Sequence, residues 1–273
     1  MTEKNQLPLA QRSWDDLPGH WLLARLGKRV LRPGGLELTT RLLAAAGITG
    51  ADVVELGPGL GRTAKDIGAL RPSSYVGVDD SGAASAMVQE VVDATGGRTV
   101  TADASETGLA DSSADVVVGE AMLTMQGDKA KKAIVDEAFR VLRPGGRYAI
   151  HELGLKPDNL PQDTKDAVRR DLARSIKVNA RPLTIAEWSA LLTESGFEVK
   201  SVDQAPMALL RPKRVIDDEG LLGALRIVGN VLTNPPARKR VLGMRNTFTK
   251  YGKDLTAVAI VAQVPEGKAG AAN

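Results

Sequence analysis

Seven short runs rich in β-branched residues recur along the chain, most of them one helix-length apart. They read DVVEL (52–56), SYVGVD (74–79), RTVTAD (98–103), ADVVVG (114–119), RYAIHEL (147–153), FEVKSV (197–202) and TAVAIVAQV (256–264). Helical patterns occupy 61–71, 83–96, 129–142 and 185–195, and Thr184 and Glu187 have the spacing of a capping box at the start of the last. Strands that alternate with helices build βαβ units and a mostly parallel sheet covered on both faces. The nearly unbroken apolar character of DVVEL and DVVVG agrees, because central parallel strands are buried on both sides. The expected fold class is therefore α/β and doubly wound.

Two stretches exceed what a crossover needs. Residues 154–183 include a helical pattern, PQDTKDAVRRDLARSIKV, and residues 208–255 separate the last two strands. The second stretch is basic, with ten Lys and Arg against four Asp and Glu, in a chain whose formal charge is only +3. That balance is too small to imply a nucleic-acid partner. Aromatics make up 3% of the 273 residues, so Leu, Val, Ile and Ala must build the core. With no cysteine, disulfides, thiolate metal sites and thiol nucleophiles are excluded, which fits a reducing cytoplasm. The first twenty residues lack the apolar core of a signal peptide, and no apolar run approaches the roughly 20 residues of a membrane span. The reading is one soluble, cytoplasmic domain over 1–273. It comprises an N-terminal helical cap (1–35), a core (36–153), lid-like insertions at 154–183 and 208–255, and a frayed tail (265–273). No internal repeat is apparent.

The first strand runs into VVELGPGLGRTA (53–64), a glycine turn that opens a helix. A dinucleotide fingerprint would set a third glycine five places after Gly57, where Arg62 stands, and no Gly-Lys-Ser/Thr follows as in a P-loop. Glycines at 57, 59 and 61 let backbone approach a ligand with no β-carbon in the way. A tight strand-to-helix turn without a ligand is the plainer alternative.

The pattern E-x-G-x-G-x-G resembles the first motif of class I S-adenosylmethionine-dependent methyltransferases, and later segments resemble that family in register. They are YVGVDDSGAASAM, VTADASETGLADSSADVVV, GEAMLTMQ and EAFRVLRPGGRYAIHEL. The resemblance covers 36–153 strongly and 184–264 more loosely. It implies a Rossmann-like sheet of seven strands with an antiparallel last strand, S-adenosylmethionine as cofactor and S-adenosylhomocysteine as product. It places Gly57, Pro58, Gly59 and Gly61 in the cofactor turn and Glu55 near the methionine amino group. Asp79 would accept the ribose hydroxyls, with Asp80 beside it, although Asp79 also suits capping of the following helix. Asp103 would take the adenine amino group and Ala104 would offer its N–H; an exposed loop acid is the alternative for Asp103.

Glu120 falls where the family places the methyl group. It would contact cofactor or acceptor, or else pair with an arginine. His151, at the carboxyl end of the fifth strand beside Glu152, is the candidate base, or a hydrogen-bonded structural histidine. His20 next to Trp21 covers an acceptor pocket or steadies the N-terminal helix, and Met122 and Met125 line such a pocket or fill core. Asn234-Pro235-Pro236 looks like an acceptor motif but sits in an insertion, and Arg238–Arg240 reads as a solvated face. The expected function is methyl transfer to a small or lipid-like acceptor, apolar with an anionic group, by in-line displacement. Alternatives are a non-catalytic cofactor-binding homologue and, further off, an NAD-dependent dehydrogenase. No metal is expected.

Overall fold

Val53 and Val54, Val116 and Val117, and Ala257 and Val258 show why unbroken apolar runs suit these strands. In each pair the first residue joins the hydrophobic layer on one face of the sheet and the second joins the layer on the other. The computed structural model describes residues 7–267. Its strands are β1 (Asp52–Leu56), β2 (Ser74–Asp79), β3 (Arg98–Thr101), β4 (Ala114–Glu120), β5 (Leu142–Leu155), β6 (Leu183–Thr184), β7 (Glu198–Pro206) and β8 (Leu255–Gln263). They are ordered β3-β2-β1-β4-β5-β8-β7, with β6 paired to the end of β5. β1 to β5 pair in parallel, and β8 lies antiparallel between β5 and β7. All seven expected strands form; the two-residue β6 is an eighth that its length hides in the sequence.

The helices are α1 (Gly19–Arg25), α2 (Gly35–Ala46), α3 (Arg62–Ala69), α4 (Gly82–Val92), α5 (Asp128–Val141), α6 (Gln162–Ile176), α7 (Ile185–Glu194), α8 (Pro212–Thr233) and α9 (Pro235–Lys250). Leu38, Leu42 and Leu43 of α2, with Ile67 of α3 and Val88 of α4, cover one face. Ile134 and Val135 of α5, with Trp188 and Leu192 of α7, cover the other. The chain leaves β1 for β2 and β3, then returns to β4 on the far side of β1. That reversal opens a crevice at the carboxyl ends of β1 and β4, the place where open α/β sheets bind ligands.

The longer stretches form α6, α8 and α9, which stand over this edge. Leu17, Leu22, Leu23 and Leu26 of the N-terminal segment form a core of their own with Ala237 and Met244 of α9. Helix α8 is broken at Gly220, whose φ of 73° and ψ of 169° lie outside the helical region and suit glycine. Residues 1–6 of the cap and 268–273 of the expected tail lie outside the described residues. Among the described residues no helix is long and apolar enough to cross a membrane.

The expected capping box is present. Thr184 Oγ1 accepts the Glu187 N–H at 3.2 Å, and the Glu187 carboxylate accepts the Thr184 N–H at 2.8 Å. Replacing Thr184 by Ala is expected to lower the unfolding free energy by about 1 kcal/mol. Urea denaturation at constant m value measures this, and an unchanged midpoint would show that the box adds nothing.

Candidate active site

A cleft of about 510 Å³ lies at the carboxyl ends of β1, β2 and β4. Glu55, Gly57, Pro58, Gly59, Asp79, Asp80, Asp103, Ala104 and Glu120 line it, so the fold gathers nearly every sequence-selected residue around one space. Gly57 and Gly59 have φ of 64° and 54°, the left-handed region that a side chain resists. The Gly57 N–H donates to the Val78 carbonyl at 2.8 Å, which presses the turn against β2. Asp79 then clamps the turn: Oδ2 accepts the Gly59 N–H at 3.2 Å and Oδ1 accepts the Ser81 N–H at 3.0 Å. Burial raises this carboxyl and the two N–H groups oppose the rise. The helix cap itself is Ser81, whose hydroxyl accepts the Ala84 N–H, so Asp79 is not the cap residue of α4.

Gly61, the third glycine of the turn, is not among the residues that line the cleft. Its φ is 71°, and an added β-carbon would stand 3.1 Å from Val91 Cγ2 on α4. Packing between helices demands this glycine. Asp103 is exposed, and its Oδ1 accepts the N–H and hydroxyl of Ser105 at 2.7 and 2.6 Å, which lowers its pKa. Glu55 is 2% exposed. Burial pushes its carboxyl up to about 8, against the Tyr75 hydroxyl that donates to it at 2.7 Å.

Glu120 has a different fate. Its carboxylate pairs with Arg32 and accepts hydrogen bonds from Thr39 and Thr63. Burial alone would raise this carboxyl, but Arg32, His151 and Thr39 hold it well below the usual carboxylate range. His151 has the surroundings of the hydrogen-bonded structural histidine, the second of its two readings. It is fully buried and absent from the cleft wall; Nε2 accepts the Gly34 N–H at 3.1 Å and Nδ1 stands 3.0 Å from Glu120. Neither ring nitrogen is left to reach an acceptor. Glu152 is also structural, accepting three backbone N–H groups (Met122, Leu123, Thr124) and the Thr124 hydroxyl. It fixes the loop that presents Met122 and Met125 to the cleft.

A second, almost wholly apolar chamber of about 100 Å³ adjoins the cleft, and His20, Leu31, Ala121 and Met125 line both spaces. Leu153 of β5 and Met244 and Phe248 of α9 complete its wall. His20 packs on Trp21 with ring centroids 5.0 Å apart, and burial pushes its imidazole down to about 4. No hydrogen bond to its ring nitrogens forms among the described residues. Asn234 begins α9 and takes no part in the cleft. Arg240 is not a solvated charge, for its guanidinium donates to the carbonyls of Trp14, Asp15 and Leu17. No His, Asp and Glu cluster able to hold a metal occurs among the described residues.

Sequence reading passed over Arg32, Thr39 and Thr63, and one signal was available. The hexapeptide VLRPGG occurs twice, at 30–35 and 141–146, a short local repeat. Arg32→Met is expected to cost about 3–5 kcal/mol, because it strands a buried carboxylate. Arg32→Met with Glu120→Gln should lose clearly less than the two single variants summed. Chemical denaturation of the four proteins measures the coupling, and additive losses would show that the pair is not coupled.

A family model described as a methyltransferase domain matches residues 54–150. An uncharacterised protein of Haemophilus influenzae is 34% identical over 253 residues, covering 91% of this chain and 98% of that one. An arsenite methyltransferase of Halobacterium salinarum is 31% identical over 170 residues, which are 59% of this chain and 40% of that protein. Among solved structures, the cyclase SpnF superposes with a TM-score of 0.69 at 14% identity, covering 90% of this chain and 93% of that one. A methyltransferase of Geobacter sulfurreducens in complex with S-adenosyl-L-homocysteine superposes with a TM-score of 0.63 at 19% identity, covering 91% and 98%. At such identities the structures speak for the fold, while the domain match spans the glycine turn and every strand from β1 into β5. Residues 54–150 carry a methyltransferase domain, and the chain has the fold of the class I S-adenosylmethionine-dependent methyltransferases.

Proposed function

We propose that this chain transfers a methyl group from S-adenosylmethionine to a small acceptor with an apolar body. The observation that carries this reading is the junction of the polar cleft with the apolar chamber at His20, Leu31, Ala121 and Met125. The cleft suits the cofactor. Its volume lies within the roughly 300–1,000 Å³ of small-molecule pockets, two left-handed glycines clear its floor, and Asp79 offers a carboxylate there. In this reading Asp79 receives the ribose hydroxyls, Asp103 and Ala104 the adenine edge, and Glu55 the methionine ammonium. The cofactor supplies a methyl group already activated by a sulfonium. What remains for the protein is to align the acceptor, exclude water and manage a proton.

Leu31, Ala121, Met125 and the α9 side chains Met244 and Phe248 give the acceptor's apolar part a dry seat. His20 is neutral near pH 7 and stands where it can take a hydrogen bond from an acceptor O–H or N–H. Arsenite is not carried over from the Halobacterium relative, because a chain with no cysteine offers no thiolate to arsenic. The second reading, a homologue that binds the cofactor without methylating, is favoured by one observation: the buried His151 and Glu120 leave the cleft without the expected base. Turnover with any acceptor would separate the two.

Calorimetric titration with S-adenosylmethionine and S-adenosylhomocysteine, with NAD as control, tests the cofactor seat. Micromolar binding of both sulfur nucleosides, lost in Asp79→Ala and absent for NAD, is the expected result. Retention of full affinity in Asp79→Ala would remove the ribose assignment.

Glu55 gives a second check. With a carboxyl near 8 in the free protein it is mostly protonated at pH 7, and a bound ammonium group favours its ionised form. Binding near pH 7 should therefore release a proton and tighten as pH rises toward about 8. Titrations in two buffers of different ionisation enthalpy measure that proton, which Glu55→Gln should abolish. Equal enthalpies in both buffers would exclude this role for Glu55.

A further inference from the structure

Seven of the eleven large apolar residues that stand exposed among the described residues fall within α8 and α9. Five form a stripe after the break at Gly220: Leu221, Leu222, Leu225, Val228 and Leu232, with exposures from 52% to 82%. Ala224 and Ile227 of the same helix are buried against the protein, so the stripe is its outward face. A stripe of this kind normally packs against something, and none of the described residues covers it.

Charge selects the occupant. Residues 208–255 carry a net excess of six positive charges, while the rest of the chain is slightly negative. Two of the four acids in that segment face inward. Asp218 accepts the Leu36 N–H and lies near Lys28, and Glu219 accepts the N–H groups of Arg29 and Val30. Arg226, Arg238, Lys239 and Arg245 are exposed and form no ion pair among the described residues. A second copy of this face would bring like charges together, which weighs against self-association. An anionic bilayer surface fits both halves of the pattern: leucines enter the boundary of headgroup and acyl chain, and Arg and Lys meet lipid phosphates.

We propose that α8 and α9 form a docking face for an anionic lipid surface, on which the protein lies without spanning the bilayer. The inner side of α9 lines the apolar chamber through Met244 and Phe248, so docking sets the chamber's lid at the membrane. The docking claim needs neither cofactor nor methyl transfer, and it stands or falls separately from the proposed function.

Flotation of the full chain with vesicles tests it, comparing phosphatidylcholine alone with equal parts phosphatidylcholine and phosphatidylglycerol. The expected result is binding to the anionic vesicles that is about tenfold stronger than to neutral ones and weakened by salt. Leu222→Glu with Leu225→Glu, and separately Arg238→Glu with Lys239→Glu, should each reduce binding about tenfold. Both substituted pairs are exposed, and unchanged circular dichroism and cofactor affinity would show that the fold is intact. Failure to bind anionic vesicles overturns the proposal, as does full binding by the Leu222→Glu, Leu225→Glu protein. A dimer seen by light scattering that this variant dissociates would also overturn it, by assigning the face to a second copy.

Discussion

The ion pair between Arg32 and Glu120 holds together the part of the molecule on which the site depends. Arg32 comes from the segment before α2, and Glu120 ends β4 at the reversal of the sheet. Thr39 of α2, Thr63 of α3 and His151 of β5 join the same carboxylate. Five parts of the chain thus converge on one buried charge, and the convergence sets the N-terminal segment over the cleft. A buried pair of this kind adds little net stability over an apolar substitute, but it is specific, because few other arrangements satisfy every partner.

The two glutamates of the cleft show how environment separates identical side chains. Glu120 has a cation and hydrogen-bond donors around it and stays ionised, so it serves as a fixed part of the scaffold. Glu55 has the Tyr75 hydroxyl as its hydrogen-bond partner, and burial tips it toward the protonated form. The first site is electrostatically complete, whereas the second feels Arg32 without forming an ion pair with it among the described residues. This difference supports reading Glu55 as the group that meets a cationic ligand and Glu120 as the group that does not.

Most of the fold was legible because it rests on short-range rules. The unbroken apolar runs of β1 and β4, the capping box at Thr184 and the glycine turn after β1 are each written within a few neighbouring positions. The site was legible only as far as those rules reach. VLRPGG illustrates the limit: at 141–146 its arginine pairs with Asp52 and Asp115 at the amino ends of β1 and β4, and at 30–35 its arginine pairs with Glu120 at the opposite edge. Identical local sequence serves two ends of one sheet, so tertiary context alone assigns the roles. His151 stood open between a base and a structural role for the same reason, since a strand end suggests access, whereas Gly34 and Glu120 enclose the ring. Gly61 belongs to a helix contact that no local pattern marks.

The position of β8 bears on how the chain can be made. Among the described residues it is the last strand in sequence yet lies inside the sheet, and β7 pairs with no other strand. On a ribosome, β1 to β5 emerge able to form a parallel half-sheet with their helices, while β7 and the outer edge of β5 must wait. Every residue of α6, α8 and α9 is synthesised before β8, the strand that closes the sheet. During that interval the unpaired outer edge of β5 and the leucines of α8 are exposed together, the combination of open strand edge and apolar surface that makes a partly folded chain prone to associate.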